Sequence, residues 1–315
     1  MTLHWRTEQD ARGIQHVVLE NGSLRLTFLP ELGGRLWSLI DLARDEEILW
    51  HHPTLAPCAA APGAGYDDAF AGGWDELFPS DRAVEIDGIA YPDHGEWWSQ
   101  PWDWQVTEET DALRLTLSGS GFVTRHNALR TITLPREGSG FNWQTLISNT
   151  GDAAIPYIWR HHPALPIRPG ARLELPPTTV EAIAEDPGAI ATAPFAWPHA
   201  VLADGAARDL SVLPAPDSGE VWMLYATEFP EGFARLTWPG TEDGTAHGIA
   251  FTFDPAQVTA VTTFATFSGW RDLRTILPEA GVGYPADLRE AVAGGTSGVL
   301  NVGEAVEYEV QVAVW

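Results

Sequence analysis

The chain has 315 residues, 30 of them glycine and 24 proline, and a net charge of −25 with neutral histidines. With 44% hydrophobic and 19% charged residues it can build a core, which excludes a disordered chain. The acidic balance bears first on solubility and argues against nucleic acid and anionic membrane as partners, since both need a basic footprint.

The N-terminal ten residues, Met1-Thr-Leu-His-Trp-Arg-Thr-Glu-Gln-Asp10, have neither a basic start nor an apolar stretch, so no signal peptide is expected. No apolar run approaches the roughly 18 residues of a membrane helix. A soluble cytoplasmic protein is the expectation. Alternation then begins. His16–Glu20 leads through Asn21-Gly22 into Ser23–Leu29, and that dipeptide predicts a two-residue type I′ hairpin. Beyond it Leu24, Leu26 and Phe28 share a face opposite Arg25 and Thr27. Cys58, the lone cysteine, sits among alanines and prolines; it cannot form an internal disulfide and reads as a buried, inert thiol.

Period-two strands return at Leu113–Leu117, Leu129–Leu134 and Phe141–Ile147, with a turn over 136–140. Residues 180–195 are alanine-rich but broken by Pro187 and Pro194. Pro285–Gly295 predicts a short helix, with proline near its start and glycine past its end. Val306, Tyr308, Val310, Val312 and Val314 mark one face of a closing strand. Regular βα alternation and fixed-period repeats are both missing. Many short strands with Gly/Pro turns predict an all-β antiparallel sandwich, and no composition break divides residues 1–315 into separate domains.

All 18 basic residues are arginine. Without lysine there is no Schiff-base chemistry and no Walker A loop. Adjacent His51-His52 and His161-His162 do not match a metal-ligand spacing, and no dinucleotide fingerprint or nucleophile elbow occurs, so no cofactor and no metal is expected. Three candidate loops carry titratable groups, the first two together with glycine: Ala71–Ser80, Asp93-His-Gly-Glu96, and Arg160-His-His-Pro163. Glu279, set in Ile276-Leu-Pro-Glu279-Ala, is a carboxylate among apolar residues, a setting that raises a pKa and suits a general base. Histidine suits a general acid. There are 15 tryptophans. Trp74, Trp97 and Trp98, with Trp102 and Trp104, offer indole faces that can stack on sugar rings.

In order along the chain, these segments resemble the aldose 1-epimerase (galactose mutarotase-like) superfamily. The segments are Leu29-Pro-Glu-Leu-Gly-Gly-Arg-Leu-Trp-Ser-Leu39, Ala71-Gly-Gly-Trp-Asp-Glu-Leu-Phe-Pro-Ser80, Asp93-His-Gly-Glu96, His162-Pro163, Leu277-Pro-Glu279 with Tyr284-Pro-Ala-Asp-Leu288, and Gly298-Val-Leu-Asn-Val-Gly-Glu304. The resemblance implies a β-supersandwich, a small-molecule sugar as ligand and no cofactor. It implies Glu279 as base, His162 as acid and His94 at the ring oxygen. Arg35, Asp75, Glu76, Glu96 and Arg160 then bind hydroxyls or orient the histidines, and Trp74, Trp97 and Trp98 stack. Which of His161 and His162 faces the site stays open, because strand neighbours point opposite ways. A homodimer is compatible with the sequence. Three rivals stand beside the mutarotase: a non-catalytic carbohydrate-binding protein; a hexose-phosphate epimerase using Arg35, Arg82, Arg125 or Arg160; and a glycoside-cleaving enzyme pairing Glu279 with Glu76 or Glu96.

Overall fold

The computed structural model describes residues 3–183, 190–240 and 244–315. Two large antiparallel sheets carry the fold. Across the larger run His4–Gln9, Gln15–Glu20, Leu24–Leu29, Arg35–Asp41, Trp74–Leu77, Trp159–Pro163, Arg274–Val282, Ala260–Phe267, Val221–Thr227, Thr179–Ala182 and Phe195–Ala196. The smaller runs Arg172–Glu174, Phe233–Trp238, His247–Phe253, Ala305–Val314, Gly140–Asn149, His126–Pro135, Ala112–Ser120 and Asp103–Glu108. The alternating segments of the sequence fall in these strands. In the closing strand Tyr308, Val310, Val312 and Val314 are buried as their spacing requires, while Val306 is half-buried.

One core fills the space between the sheets. Trp74 of the larger sheet stacks on Trp143 of the smaller at 4.9 Å between ring centroids, and Trp159 stacks on Tyr308 at 4.0 Å. The central strands of the larger sheet are buried on both faces, because loops cover the face away from the core. The Leu288–Gly294 helix is capped by Asp287, whose side chain accepts from the Arg289 and Glu290 amides, and ends at left-handed Gly295.

Two local expectations are corrected. The hairpin after Glu20 closes between Asn21 and Leu24, and only Gly22 has positive φ, so the turn centres on Gly22-Ser23 in the type II′ manner. Asn21 instead accepts from the Ser23 and Leu24 amides. Cys58 is exposed, not buried, because its alanine/proline loop joins no strand. Of the alanine-rich stretch 180–195, residues 184–189, with Pro187, lie outside the described residues.

Candidate active site

Strand alternation decides which side chains reach the loop-covered face. In Trp159–Pro163, Trp159 and His161 turn to the core, while Arg160 and His162 turn away from it. His162 pairs in register with Asp75 on one side, and Arg160 with Gly281 on the other. Glu279 lies two residues from Gly281, on the same face as Arg160. Three loops complete the site. One brings Tyr66 and Phe70, another Asp93 and His94, and the turn after Phe267 brings Trp270.

These residues enclose a cleft of about 230 Å³. His94, His162 and Glu279 all line it, with Tyr66, Asp67, Asp81, Arg82 and Asp93 among the polar groups. Met223, Phe264, Trp270 and Leu277 form its apolar wall. His162 Nε2 stands 3.9 Å from Glu279 Oε1, and the rings of His94 and His162 meet edge to face at 5.2 Å. His161 is thus the core member of its pair, and His162 the cleft member.

Glu279 has only a partial ionic partner. Arg160 gives its short contact, 2.6 Å, to Asp81 and reaches Glu279 at 3.5 Å. Burial therefore dominates and, with the Asp81 charge, pushes the Glu279 carboxyl up to about 8 against the opposing pull of Arg160 and His94. His162 moves the other way. Burial, helped by the charges of His94, Arg160 and Arg35, holds it well below its ordinary value, so it is neutral. For His94 burial alone would also lower the pKa, but the 2.9 Å hydrogen bond to Asp93 and the surrounding aspartates raise it.

The His94 backbone is left-handed, at φ 53°, and Gly95 follows at φ 73°. A Cβ at Gly95 would stand 2.3 Å from the Phe78 carbonyl oxygen, so only glycine fits. Below the loop, Glu96 accepts from the Phe122, Val123 and Thr124 amides and the Thr124 hydroxyl. Glu96 is thus a buried anchor for this loop and does not line the cleft.

The other expected ligand-binding residues fall behind the cleft or in the core. Arg35 and Asp75 form a buried bidentate ion pair, with Nε–Oδ1 at 2.8 Å and Nη2–Oδ2 at 2.6 Å. Asp75 also accepts from the Tyr66 hydroxyl at 2.8 Å. Arg160 holds Asp81, Glu279 and the Gly283 carbonyl. Glu76 points into the sandwich, where it accepts from Arg130, Trp143, Trp159 and Thr145. Trp74 and Trp97 are core residues; the first donates to His161, and the second donates to His126 and stacks on Phe78. Trp98 is buried under Tyr66 and donates to the Asp93 carbonyl. None of these three indoles offers a face to the cleft, so the stacking surface expected from the tryptophan cluster is not there.

Sequence reasoning passed over the indole that does line the cleft, Trp270, and over Tyr66 and Asp81. Trp270 had a legible signal: a Ser268-Gly269 turn with an aromatic at its tip, between the Ala260–Phe267 and Arg274–Val282 segments. Tyr66 had none, because it meets His162 across 96 residues of chain.

No family model matches the chain, and no curated protein matches it. Solved structures do. A Klebsiella pneumoniae protein provisionally named an aldose 1-epimerase superposes with a TM-score of 0.76 at 13% identity, over 99% of this chain and 83% of its own. A galactose mutarotase-like protein from Clostridium acetobutylicum gives 0.70 at 12% identity, over 99% and 98% of the two chains. The fold is the galactose mutarotase-like fold. Another galactose mutarotase-like protein, from Lactobacillus casei, matches with a TM-score of 0.61 at 16% identity, over 95% and 100%. At these identities the likeness concerns the mutarotase-like fold; the chemistry must be argued from the cleft.

Proposed function

We propose that this protein is an aldose 1-epimerase that interconverts the α and β anomers of a free, uncharged sugar. The observation that carries this reading is the pairing of Glu279 and His162. They stand 3.9 Å apart across the cleft, and their surroundings push their pKa values in opposite directions. Mutarotation needs such a pair. One group removes the proton of the anomeric hydroxyl while the other delivers one to the ring oxygen. The bond from C1 to the ring oxygen breaks, the aldehyde turns about its bond to C2, and reclosure returns both protons. His94, with its raised pKa, is placed to stabilise charge on the opening ring. Acid–base assistance of this kind supplies roughly 10²–10⁴-fold.

The cleft is small for a ligand pocket, where roughly 300–1,000 Å³ is usual, which favours a single sugar ring. Trp270 and Phe264 supply the apolar wall for its C–H face. The phosphosugar reading loses support because Arg35 and Arg160 are engaged in buried ion pairs and Arg125 lines a separate crevice. Arg82 lines the cleft beside Asp67, Asp81 and Asp93, a poor setting for a phosphate. The glycoside-cleaving reading loses both of its paired carboxylates, since Glu76 faces the core and Glu96 anchors a loop.

The test is to follow α-to-β interconversion of freshly dissolved glucose, galactose and other aldoses by NMR, with Glu279→Gln as control. Acceleration by the wild type that the variant abolishes is the expected result. Saturable shifts without acceleration would favour a carbohydrate-binding protein instead.

A further inference from the structure

We propose that Tyr66 is a positioning residue that fixes the His162 proton on Nδ1, so that His162 enters the reaction as a proton acceptor at Nε2 and Glu279 as the donor. This inference rests on the mutarotase reading above.

Arg35, Asp75, Tyr66 and His162 form a buried chain of groups in which each proton has one place to go. Arg35 binds both oxygens of Asp75, at 2.8 and 2.6 Å, and a carboxylate so held can only accept. Tyr66 has one hydroxyl hydrogen, and Asp75 Oδ2 at 2.8 Å takes it. What the Tyr66 oxygen presents to its other neighbour, His162 Nδ1 at 3.2 Å, is therefore a lone pair. A bare Nδ1 would set lone pair against lone pair in a buried site. A protonated Nδ1 donates to Tyr66 and leaves every group satisfied. For a neutral imidazole this places the lone pair on Nε2, the atom that faces Glu279 Oε1 at 3.9 Å. Burial and the nearby cations keep His162 neutral, as this arrangement requires.

The resulting sequence balances. Nε2 takes the proton of the anomeric hydroxyl as C1 parts from the ring oxygen, and the Glu279 carboxyl gives its proton to that oxygen. The imidazolium then formed donates through Nδ1 to Tyr66, backed by Asp75. Reclosure on the other face of the aldehyde returns both protons. This reverses the assignment drawn from the sequence, in which Glu279 began as base and His162 as acid.

Histidine tautomers are read directly from long-range proton–nitrogen correlations on protein labelled with ¹⁵N-histidine, with His162→Gln identifying the His162 signals. The expected wild-type pattern is a protonated Nδ1 and a bare Nε2; a protonated Nε2 with bare Nδ1 would overturn the proposal. Tyr66→Phe keeps the ring and deletes the oxygen. It should release His162 into mixed tautomers and lower kcat about 10²-fold with KM little changed. Asp75→Asn turns an amide donor toward Tyr66, sends the hydroxyl proton to Nδ1 and should invert the pattern. An unchanged His162 pattern in both variants would also overturn the proposal. If the wild type turns over no aldose, the mutarotase reading fails, while the tautomer assignment still stands or falls on the wild-type spectrum.

Discussion

Glu279 is held in a state that costs stability. Its carboxyl is pushed up to about 8, well above the ordinary value of 4.5, mainly by burial. A carboxyl raised on folding stabilises the native state below its unfolded pKa, and that contribution is lost as pH rises through about 8. Each tenfold change in proton affinity corresponds to about 1.4 kcal/mol. Glu279→Gln removes the ionisation. The variant should therefore be more stable than the wild type at pH 9, by at least about 1 kcal/mol, with a smaller difference at pH 6. Thermal melts at the two pH values check this. Catalysis should follow the same group. The Glu279–His162 pair works with one shared proton, so turnover should fall as pH rises through about 8, whichever member holds that proton at the start. Turnover in the glutamine variant should drop by roughly 10²–10⁴-fold. An activity profile flat from pH 7 to 9.5 would remove Glu279 from the reaction.

Elements put these residues in place, and they differ in how far the sequence announces them. Strands repeat every two residues, so Leu113–Leu117 or Val306–Val314 can be read without any partner. The same rule separates Asp75 from Glu76 and His162 from His161, but it does not say which neighbour faces the cleft. That depends on which sheet face is covered by loops, a property of the whole chain. The tryptophans mislead for the same reason. Clustering along the sequence marks Trp74, Trp97 and Trp98, yet their strands and loops turn them into the core, while Trp270 stands at the cleft. The loop of His94 shows how tightly an irregular element can be specified. Gly95→Ala would put a Cβ 2.3 Å from the Phe78 carbonyl at a left-handed position. It should cost more than about 1 kcal/mol and lower turnover at least as far as it moves His94. Melting and kinetics of this one variant measure both. Trp270→Ala tests the other loop. It removes an apolar wall without touching the proton-transfer pair, so KM should rise about tenfold with kcat largely kept. An unchanged KM would show that the ring does not face the sugar.

At the scale of the whole molecule, the two sheets are joined by a buried charge cluster directly behind the site. Glu76 leaves the same strand as Asp75 on the opposite face. It meets Arg130 at 2.5 Å, and Trp143, Trp159 and Thr145 saturate its remaining acceptor sites. Burial alone would raise its pKa, but the charge of Arg130, followed by His161 and the hydrogen bonds, holds it below the ordinary value. Arg130 in turn donates to the Gly33 and Gly34 carbonyls and lies against the Trp102 and Trp143 rings at 4.6 and 5.0 Å. The cluster therefore ties both sheets and the turn before Arg35 together. Breaking such a pair from one side leaves a charge stranded in the core, at a cost of about 3–5 kcal/mol, while replacing both partners can be nearly neutral. Arg130→Met should lose stability on that scale in urea unfolding. Adding Glu76→Gln should recover much of the loss, because the stranded carboxylate is gone. Activity offers the sharper comparison. The double variant should regain stability ahead of turnover, since the turn bearing Gly33, Gly34 and Arg35 still lacks its Arg130 tether. Full recovery of both together would mean that the cluster serves stability alone and leaves the geometry of the cleft to its loops.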